Sequence, residues 1–211
     1  MAYGSPLDPQ DFYDQRRGQL ILDVGFGLGD SLIHLASTRP DCNVLGVELL
    51  PSGIAQALQS IHERNLTNCK VVKADLRMLL QPNYLSGNCL FDEIYVLFPD
   101  PWPNAVRDAD KRVIRPEVVQ LFERVLRKKG GLLRVSTDVA EMAKWVEDVM
   151  ASRPPGIWDP KQQTRSQVAP PARPRYRPET KYEKIAQFEG RTVIDLEFVR
   201  EAAWVSESTE L

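Results

Sequence analysis

The 211-residue sequence has few of the side chains that most often act as metal ligands or nucleophiles: two histidines and three cysteines. Cys42, Cys69 and Cys89 show none of the spacings of a metal site, so we expect no bound metal and reduced, buried thiols. His34 and His62 fall within predicted helices, and we interpret them as bystanders. The sequence therefore gives no sign of metal-dependent or nucleophilic catalysis.

Long apolar runs and a secretory leader are also missing. No run approaches the roughly 18–20 residues that a membrane-spanning helix needs, and the N-terminal segment, residues 1–18, is polar and acidic. The length suits a single domain over residues 1–211 that buries its own core. We expect a cytoplasmic protein without a membrane partner, and the sequence leaves monomer and homodimer open.

Charge is unevenly distributed, although the net charge is only −2. Residues 101–134 contain nine basic and four acidic side chains, and residues 153–181 contain seven basic and two acidic ones. Two basic stretches on an otherwise acidic chain are typical of a protein that binds a polyanion on one face. Two solvated surfaces without a partner would give the same distribution, so charge alone does not distinguish them from a polyanion-binding face.

Strand-like and helix-like hydrophobic patterns alternate along the chain. The predicted strands are residues 19–24, 43–47, 70–73, 91–98, 132–136 and 192–199. The predicted helices are residues 30–37, 51–61, 115–128, 139–150 and 181–188, with a short helix after Asp75. This alternation predicts an α/β fold, a doubly wound and mostly parallel sheet with helices on both faces. Such sheets bind ligands at the carboxyl ends of their strands.

Residues 151–179 interrupt the alternation. The segment is rich in proline and arginine and has only scattered apolar side chains, so we expect a loop within the domain. Regular structure is predicted to resume at Thr180, because the spacing of Thr180 and Glu183 is that of a capping box.

A glycine-rich loop follows the first predicted strand. Gly25, Gly27 and Gly29 form a G-x-G-x-G pattern that begins two residues after Asp23. Dinucleotide sites carry G-x-G-x-x-G instead, and a carboxylate beside a pyrophosphate would repel it. S-adenosylmethionine has no phosphate and carries a sulfonium and an ammonium group. The loop therefore favours S-adenosylmethionine as the cofactor.

Two more carboxylates follow at the ends of the next two strands. Glu48 can accept hydrogen bonds from both hydroxyls of a ribose, each worth roughly 1.5–3 kcal/mol. Asp75 can meet the amino group of an adenine, or can simply cap the next helix. Together with the glycine loop, these strand-end acids resemble the S-adenosylmethionine-dependent methyltransferases, whose Rossmann-like fold has a seven-stranded sheet.

The fourth predicted strand runs into the sequence Phe-Pro-Asp-Pro-Trp-Pro, residues 98–103. Its prolines fix the direction of Asp100, and Trp102 offers a flat surface for a base, although a rigid turn around a buried tryptophan fits equally well. This loop, the following Lys111-Arg112 and the Thr-Lys-Tyr-Glu of residues 180–183 resemble the bacterial tRNA (guanine-N7-)-methyltransferase family. The resemblance covers about residues 20–198.

The resemblance implies transfer of a methyl group from S-adenosylmethionine to N7 of a guanosine in the variable loop of tRNA. Cofactor contacts are then implied for Asp23, Glu48, Asp75 and Asp100, and Asp100 is also the catalytic carboxylate. Contacts to the target nucleotide are implied for Asn104, Asp138, Thr180, Lys181, Tyr182 and Glu183. The chemistry agrees, because N7 carries a free lone pair and needs no base, only alignment and a balance for the positive charge of the product.

The substrate side departs from the family pattern. Asn104 stands where the family usually has lysine, and Asp108 and Asp110 dilute the basic run that follows. Two alternatives therefore stay open: a methyltransferase of this fold with another substrate, and a tRNA-binding protein with little catalytic activity. Whether the protein methylates tRNA or only binds it, we expect residues 107–115 and 161–177 to hold phosphates. The arginines of the second stretch are Arg165, Arg173, Arg175 and Arg177, around Tyr176.

Overall fold

The computed structural model describes residues 6–15, 17–85, 91–102, 107–159, 162–168 and 173–201. Its strands are β1 (Gln19–Val24), β2 (Cys42–Glu48), β3 (Cys69–Lys73), β4 (Glu93–Leu97), β5 (Leu132–Thr137), β6 (Thr164–Val168) and β7 (Val193–Val199). They form one sheet in the order β3-β2-β1-β4-β5-β7-β6. The first five strands in this order are parallel, whereas β7 is antiparallel to both of its neighbours.

Helices cover both faces of the sheet. They are α1 (Asp30–Thr38), α2 (Pro51–Glu63), α3 (Leu76–Leu79), α4 (Pro116–Val125), α5 (Ala140–Ala151) and α6 (Lys181–Phe188). Side chains of α1, α2 and α6 form one core cluster, and those of α3, α4 and α5 form another. Successive residues of β1 contribute to opposite clusters, Leu20 and Leu22 to the second and Ile21 to the first, as the alternation of a strand requires. The predicted doubly wound α/β fold is confirmed.

The order of the strands reverses at β1, because β2 lies on one side of it and β4 on the other. The connections from β1 and β4 therefore leave in opposite directions and open a crevice at the carboxyl ends of these two strands. The glycine loop follows β1, and Phe98 and Asp100 follow β4, so both predicted ligand-binding segments border this crevice.

The sequence prediction missed β6, which lies inside the proline- and arginine-rich segment taken for a loop. Four of the five residues of β6, from Thr164 to Gln167, are polar and exposed. A strand at the edge of a sheet with solvated side chains needs no apolar alternation, because its backbone pairing with β7 defines it.

Helix α4 ends at Val125, three residues before the predicted end. Arg200, far along the chain, donates hydrogen bonds to the carbonyl oxygens of Glu123 and Leu126. The backbone N–H of Arg127 donates to the carbonyl of Phe91 at 2.7 Å instead of continuing the helix. Both partners come from distant segments, so the local pattern gave no sign of the earlier end.

Cys42 and Cys69 are free, buried thiols, as expected, and burial raises their pKa values to about 11 and about 12. Cys89 lies outside the described residues. Within the described ranges, no helix is long and apolar enough to cross a membrane, and no group of three or more His, Cys, Asp or Glu side chains is placed to hold a metal ion.

Candidate active site

The glycine loop after β1 follows a path that other residues rarely adopt. Gly25, Gly27 and Gly29 have φ angles of 64°, 57° and 96°, all in the left-handed region. A side chain at any of these positions would strain the backbone, which accounts for the alternate glycines. The loop ends at Gly29, the N-cap of α1.

Asp23 lies at the end of β1, directly before this loop, and is completely buried. Its Oδ2 accepts a hydrogen bond from Ser31 Oγ at 2.5 Å, whereas its Oδ1 is buried without a partner among the described residues. Burial raises the pKa of Asp23 to about 7; the hydrogen bond from Ser31 lowers it in part, and the charge of Glu48 raises it. A buried carboxylate oxygen without a partner fits a ligand that brings a donor or a positive charge.

Glu48, at the end of β2, fastens the glycine loop. One carboxylate oxygen accepts from the backbone N–H of Gly27 at 2.9 Å, and the other accepts from Leu49 and Leu50 at 2.6 and 3.0 Å. A carboxylate has about four acceptor positions, so three backbone donors leave it room for about one more hydrogen bond. The predicted contacts to both hydroxyls of a ribose would therefore have to replace one of these donors.

Gly53 is a functional position that the sequence analysis missed. It lies in α2, and a Cβ atom there would come within 2.1 Å of the carbonyl oxygen of Gly27. Any side chain at residue 53 would push α2 away from the glycine loop. The available signal was a glycine within a predicted helix, which costs about 0.5–1 kcal/mol and therefore suggests a packing reason.

Asp75 caps α3, the alternative that the sequence left open. Its carboxylate accepts from the backbone N–H of Arg77 at 2.8 Å and forms an ion pair with the guanidinium of the same residue at 2.5 Å. These bonds from Arg77 lower the pKa of Asp75. The proposed contact to adenine stays a prediction, since the structure shows the carboxylate engaged with its own helix.

A cleft joins the glycine loop to residues far along the chain. Two segments next to β1 and β2 line it: residues 25–31 except Gly29, and the start of α2. The remaining lining comes from the end of β4 with Phe98 after it, and from Thr180, Lys181 and Tyr182 at the start of α6. The structure therefore brings three of the predicted substrate residues, Thr180 to Tyr182, to the mouth of the glycine loop.

The wall of the cleft after β4 is strained. Phe98 and Trp102 have φ angles of 51° and 42°, a region that costs a residue with a side chain about 1–2 kcal/mol. The ring of Tyr182 stacks on Phe98, with centroids 6.3 Å apart and planes 22° from parallel. Strain of this kind concentrates at functional sites. Asp100 lies between these two positions and is exposed, and Asn104 lies outside the described residues.

The basic pair after this loop supports the loop itself. Arg112 is buried, donates to the carbonyl oxygen of Trp102 at 2.9 Å and lies 4.7 Å over the ring of Trp145. Lys111 lies 4.7 Å from the centre of the Trp102 ring. The expectation that Arg112 contacts tRNA phosphates is therefore wrong: its guanidinium holds the tryptophan loop from inside.

The Thr-Lys-Tyr-Glu segment starts α6 as half of a capping box. Thr180 Oγ1 accepts from the backbone N–H of Glu183 at 3.2 Å, as predicted. The Glu183 carboxylate is buried and accepts from Arg177 at 2.6 Å, instead of reaching back to the cap. Arg177 is wholly buried and also forms two bonds to Asp195, at 2.7 and 2.9 Å. The expectation that Arg177 holds tRNA phosphates is therefore wrong as well.

Asp138 follows β5 and pairs with Arg191, whose guanidinium nitrogens lie 2.9 and 2.7 Å from its carboxylate. Of the predicted substrate residues, Asp138 and Glu183 are thus held by arginines, while Thr180, Lys181 and Tyr182 line the cleft. The sequence gave no indication of either arginine partner, because both pairs join residues from different elements.

Comparison with known proteins agrees with this architecture. A family profile described as "Putative methyltransferase" matches residues 17–196. Two proteins named tRNA (guanine-N(7)-)-methyltransferase, from Methylobacillus flagellatus and Nitrosomonas eutropha, are 32% and 33% identical; the alignments cover 92% and 94% of this chain and 77% and 83% of theirs.

Solved structures share the fold at low identity. A 16S rRNA methyltransferase is similar with a TM-score of 0.61 and 19% identity over 91% of this chain and 90% of its own. A Streptococcus mutans protein in complex with SAH has a TM-score of 0.54 and 11% identity over 90% and 94%. These structures support the fold alone, whereas the family follows from the profile and the sequence relatives. The chain belongs to the tRNA (guanine-N7-)-methyltransferase family.

Proposed function

We propose that the protein transfers a methyl group from S-adenosylmethionine to N7 of a guanosine in the variable loop of tRNA, in the cytoplasm. The observation that carries the proposal is the cleft, which joins the glycine loop to Phe98 and to Thr180–Tyr182. One side has the features expected for the cofactor, and the other carries the motifs that this family shares. Relatives above 30% identity that are named for this activity support the choice of substrate.

The cofactor side fits S-adenosylmethionine in two respects. The buried Oδ1 of Asp23 lacks a partner among the described residues and suits a cationic group. A Cβ atom at Gly25 or Gly27 would meet nothing within 4 Å, so the loop borders open space. We assign Asp23, the glycine loop, Glu48 and Asp75 to this cofactor, which supplies an electrophilic methyl group when bound.

Asp100 is assigned the catalytic role. It is exposed and follows Phe98, a cleft-lining residue, by two positions. Its carboxylate can accept hydrogen bonds from N1–H and the amino group of guanine, which orients N7 and balances the positive charge of the product. N7 has no proton to lose, so these residues need to supply no base. Asn104 and Asp138 stay secondary candidates for the target nucleotide.

The half-exposed ring of Tyr182 is assigned to the target base. It stacks on Phe98 and lines the cleft, and 50% of the residue is exposed. A base can stack on such a ring, and Thr180 and Lys181 lie beside it to contact the ribose and phosphate. The carboxylate of Glu183 is buried, and its ion pair with Arg177 fixes the start of α6.

The test is transfer of labelled methyl from S-adenosylmethionine to unmodified tRNA, followed by borohydride and aniline cleavage at N7-methylguanosine. We expect one cut, in the variable loop, and no cut with the Asp100→Ala variant. Methylation of another nucleotide or another substrate would favour the first alternative. Binding of tRNA without transfer, with cofactor binding intact by calorimetry, would favour the second.

A further inference from the structure

The outer face of α6 carries an exposed row of side chains beside the cleft. Lys181, Lys184, Ile185 and Phe188 follow the spacing i, i+3, i+4 and i+7, so they form one stripe on the helix surface, which we call the α6 stripe. The opposite face of the helix buries Glu183 and Ala186. The stripe therefore points away from the core, although two of its members are apolar.

Phe188 is 92% exposed, more than any other large hydrophobic side chain of the described residues. It does not stand alone, because a surface groove groups it with Ile185 of the stripe and Leu28 of the glycine loop. Scattered exposed apolar side chains are ordinary on a protein surface, but an aromatic side chain grouped with other apolar ones marks an interaction site.

The groove is continuous with the cleft. Leu28, Asp30 and Lys181 line both of them, and the backbone N–H of Lys181 donates to Asp30 at 3.3 Å across the junction. Seven residues separate Lys181 from Phe188, which places them about 10 Å apart along the helix axis. If one unit of a polymer bound in the cleft, the neighbouring units would lie on the α6 stripe.

Two lysines and two carboxylates line the groove. Asp30 accepts from the backbone of Lys181, and Glu179 pairs with Arg173 at 3.0 Å and lies 3.8 Å from Lys184. The side chains of Lys181 and Lys184 are exposed beside Phe188. Lysines beside an exposed aromatic ring are the combination that binds single-stranded nucleic acid, because phosphates meet the lysines and a base stacks on the ring.

A second copy of the chain is a poorer occupant. Stable protein interfaces bury about 800 Å² on each partner, and an aromatic side chain supplies only about 150–250 Å². The apolar part of the groove consists of Leu28, Ile185 and Phe188, which is too little for such an interface.

We propose that the α6 stripe binds the nucleotides next to the target guanosine, with an unpaired base stacked on Phe188 and the backbone phosphates at Lys181 and Lys184. This inference rests on the proposed function, since it takes tRNA as the substrate. Beyond Lys181, which belongs to the family motif and lines the cleft, it adds a binding surface formed by Lys184, Ile185 and Phe188.

The first experiment compares Phe188→Ala with Leu58→Ala by fluorescence anisotropy of labelled, unmodified tRNA. Leu58 is also an exposed apolar residue, 51% exposed on α2. We expect about tenfold weaker binding for Phe188→Ala, unchanged binding for Leu58→Ala, and recovery with Phe188→Trp. Thermal melting and cofactor binding should match the wild type, because Phe188 contributes little to the core.

Salt dependence separates the two parts of the stripe. Phe188→Ala should weaken binding at every salt concentration without changing the slope of log K against log salt. Lys184→Ala should flatten this slope by about 0.7–0.9, the loss of one phosphate contact. Lys144, exposed on α5 across the sheet and paired with Asp148, provides the control, and Lys144→Ala should leave the slope unchanged.

Failure of this inference is distinguishable from failure of the proposed function. If the wild type binds and methylates tRNA while Phe188→Ala behaves like Leu58→Ala, the stripe is not a tRNA surface and the proposed function stands. If the wild type neither binds nor methylates tRNA, both are overturned. If Phe188→Ala only converts a dimer to a monomer in sedimentation, the occupant is a second copy and the inference is wrong.

Discussion

The two walls of the cleft are held together by different interactions. The cofactor wall, formed by residues 23–29 and Glu48, relies on the backbone: Glu48 accepts from three N–H groups, and the glycines follow left-handed turns. The substrate wall, formed by residues 98–102 and 180–183, relies on buried arginines that hold the carbonyl of Trp102 and the carboxylate of Glu183. The substrate wall can therefore change by single side-chain substitutions that leave the cofactor wall intact.

Removal of the Arg177 guanidinium should have the largest effect, because two buried carboxylates would lose their closest cation. Among the described residues, Glu183 would keep only Arg173 at 3.5 Å, and Asp195 only the hydroxyl of Ser136 at 2.5 Å. We expect Arg177→Met to lower the free energy of unfolding by about 3–5 kcal/mol, the cost of leaving buried charges unpaired. Urea denaturation at neutral pH measures this. Arg175→Met is the matched control, since Arg175 is exposed two residues away and should change stability by less than about 0.5 kcal/mol. If both variants lost the same free energy of unfolding, the conclusion that buried arginines hold the substrate wall would be wrong.

Substitution of Asp100 should affect the chemistry and spare the fold. Asp100→Ala removes the carboxylate that we assign to guanine, and because the residue is exposed, stability should not change. We expect methyl transfer to tRNA to fall by at least about 100-fold, as for loss of one group that stabilises transition-state charge. Single-turnover transfer gives the rate, and calorimetry should show that much of the cofactor affinity is kept. Full activity of this variant would remove Asp100 from the catalytic role.

The cofactor wall should respond to pH through Asp23. Because burial raises its pKa to about 7, the ionised form that attracts a cation grows from about 0.1 of the molecules at pH 6 to about 0.9 at pH 8. Affinity for S-adenosylmethionine should therefore rise about tenfold over this interval, with release of about half a proton at pH 7. Calorimetry in buffers of different ionisation enthalpy measures both quantities. Asp23→Asn should abolish the pH dependence, and a proton release that persists in this variant would point to another group.

The smallest effect is expected near the tryptophan loop. Asp108 is buried and pairs with Arg107 and Lys111 at 3.0 and 2.8 Å, and its hydrogen bonds with these two cations hold its pKa below the usual value. Asp108→Asn should remove these two ion pairs and tighten tRNA binding a few-fold, with a steeper salt dependence. Asp110→Asn removes the same charge from an exposed side chain of the same loop. If both variants gain the same affinity for tRNA, the net charge of the loop limits binding, and the pairing of Asp108 does not.

Local patterns predicted the core elements closely. Strand β1 and helix α6 have the predicted bounds, and Thr180 caps α6 as its spacing to Glu183 indicated. These elements depend on neighbours within a few residues, on apolar periodicity and on capping, so a sequence window contains the information. The same applies to the glycine loop, because its left-handed φ angles require glycine whatever tertiary contacts surround the loop.

The two basic stretches show what a short sequence window cannot predict, namely which arginines are buried. In the sequence they look alike, as excess positive charge, yet Arg112 and Arg177 are buried while Arg175 is exposed. The buried ones are paired with a carbonyl or with carboxylates of other elements, and only these partners make burial of a guanidinium tolerable. A count of charges contains no information on such partners.

The sequence by itself determined the α/β class, the cofactor loop and the strand-end carboxylates, because backbone turns and apolar periodicity are properties of short segments. Only the tertiary structure decided that β6 completes the sheet, that Arg177 joins Glu183 to Asp195, and that the α6 stripe lies next to the cleft. These features depend on contacts between different segments of the chain, from 6 residues apart for Arg177 and Glu183 to 151 for Asp30 and Lys181. Their energies come from pairing and burial, which exist only once the segments have met.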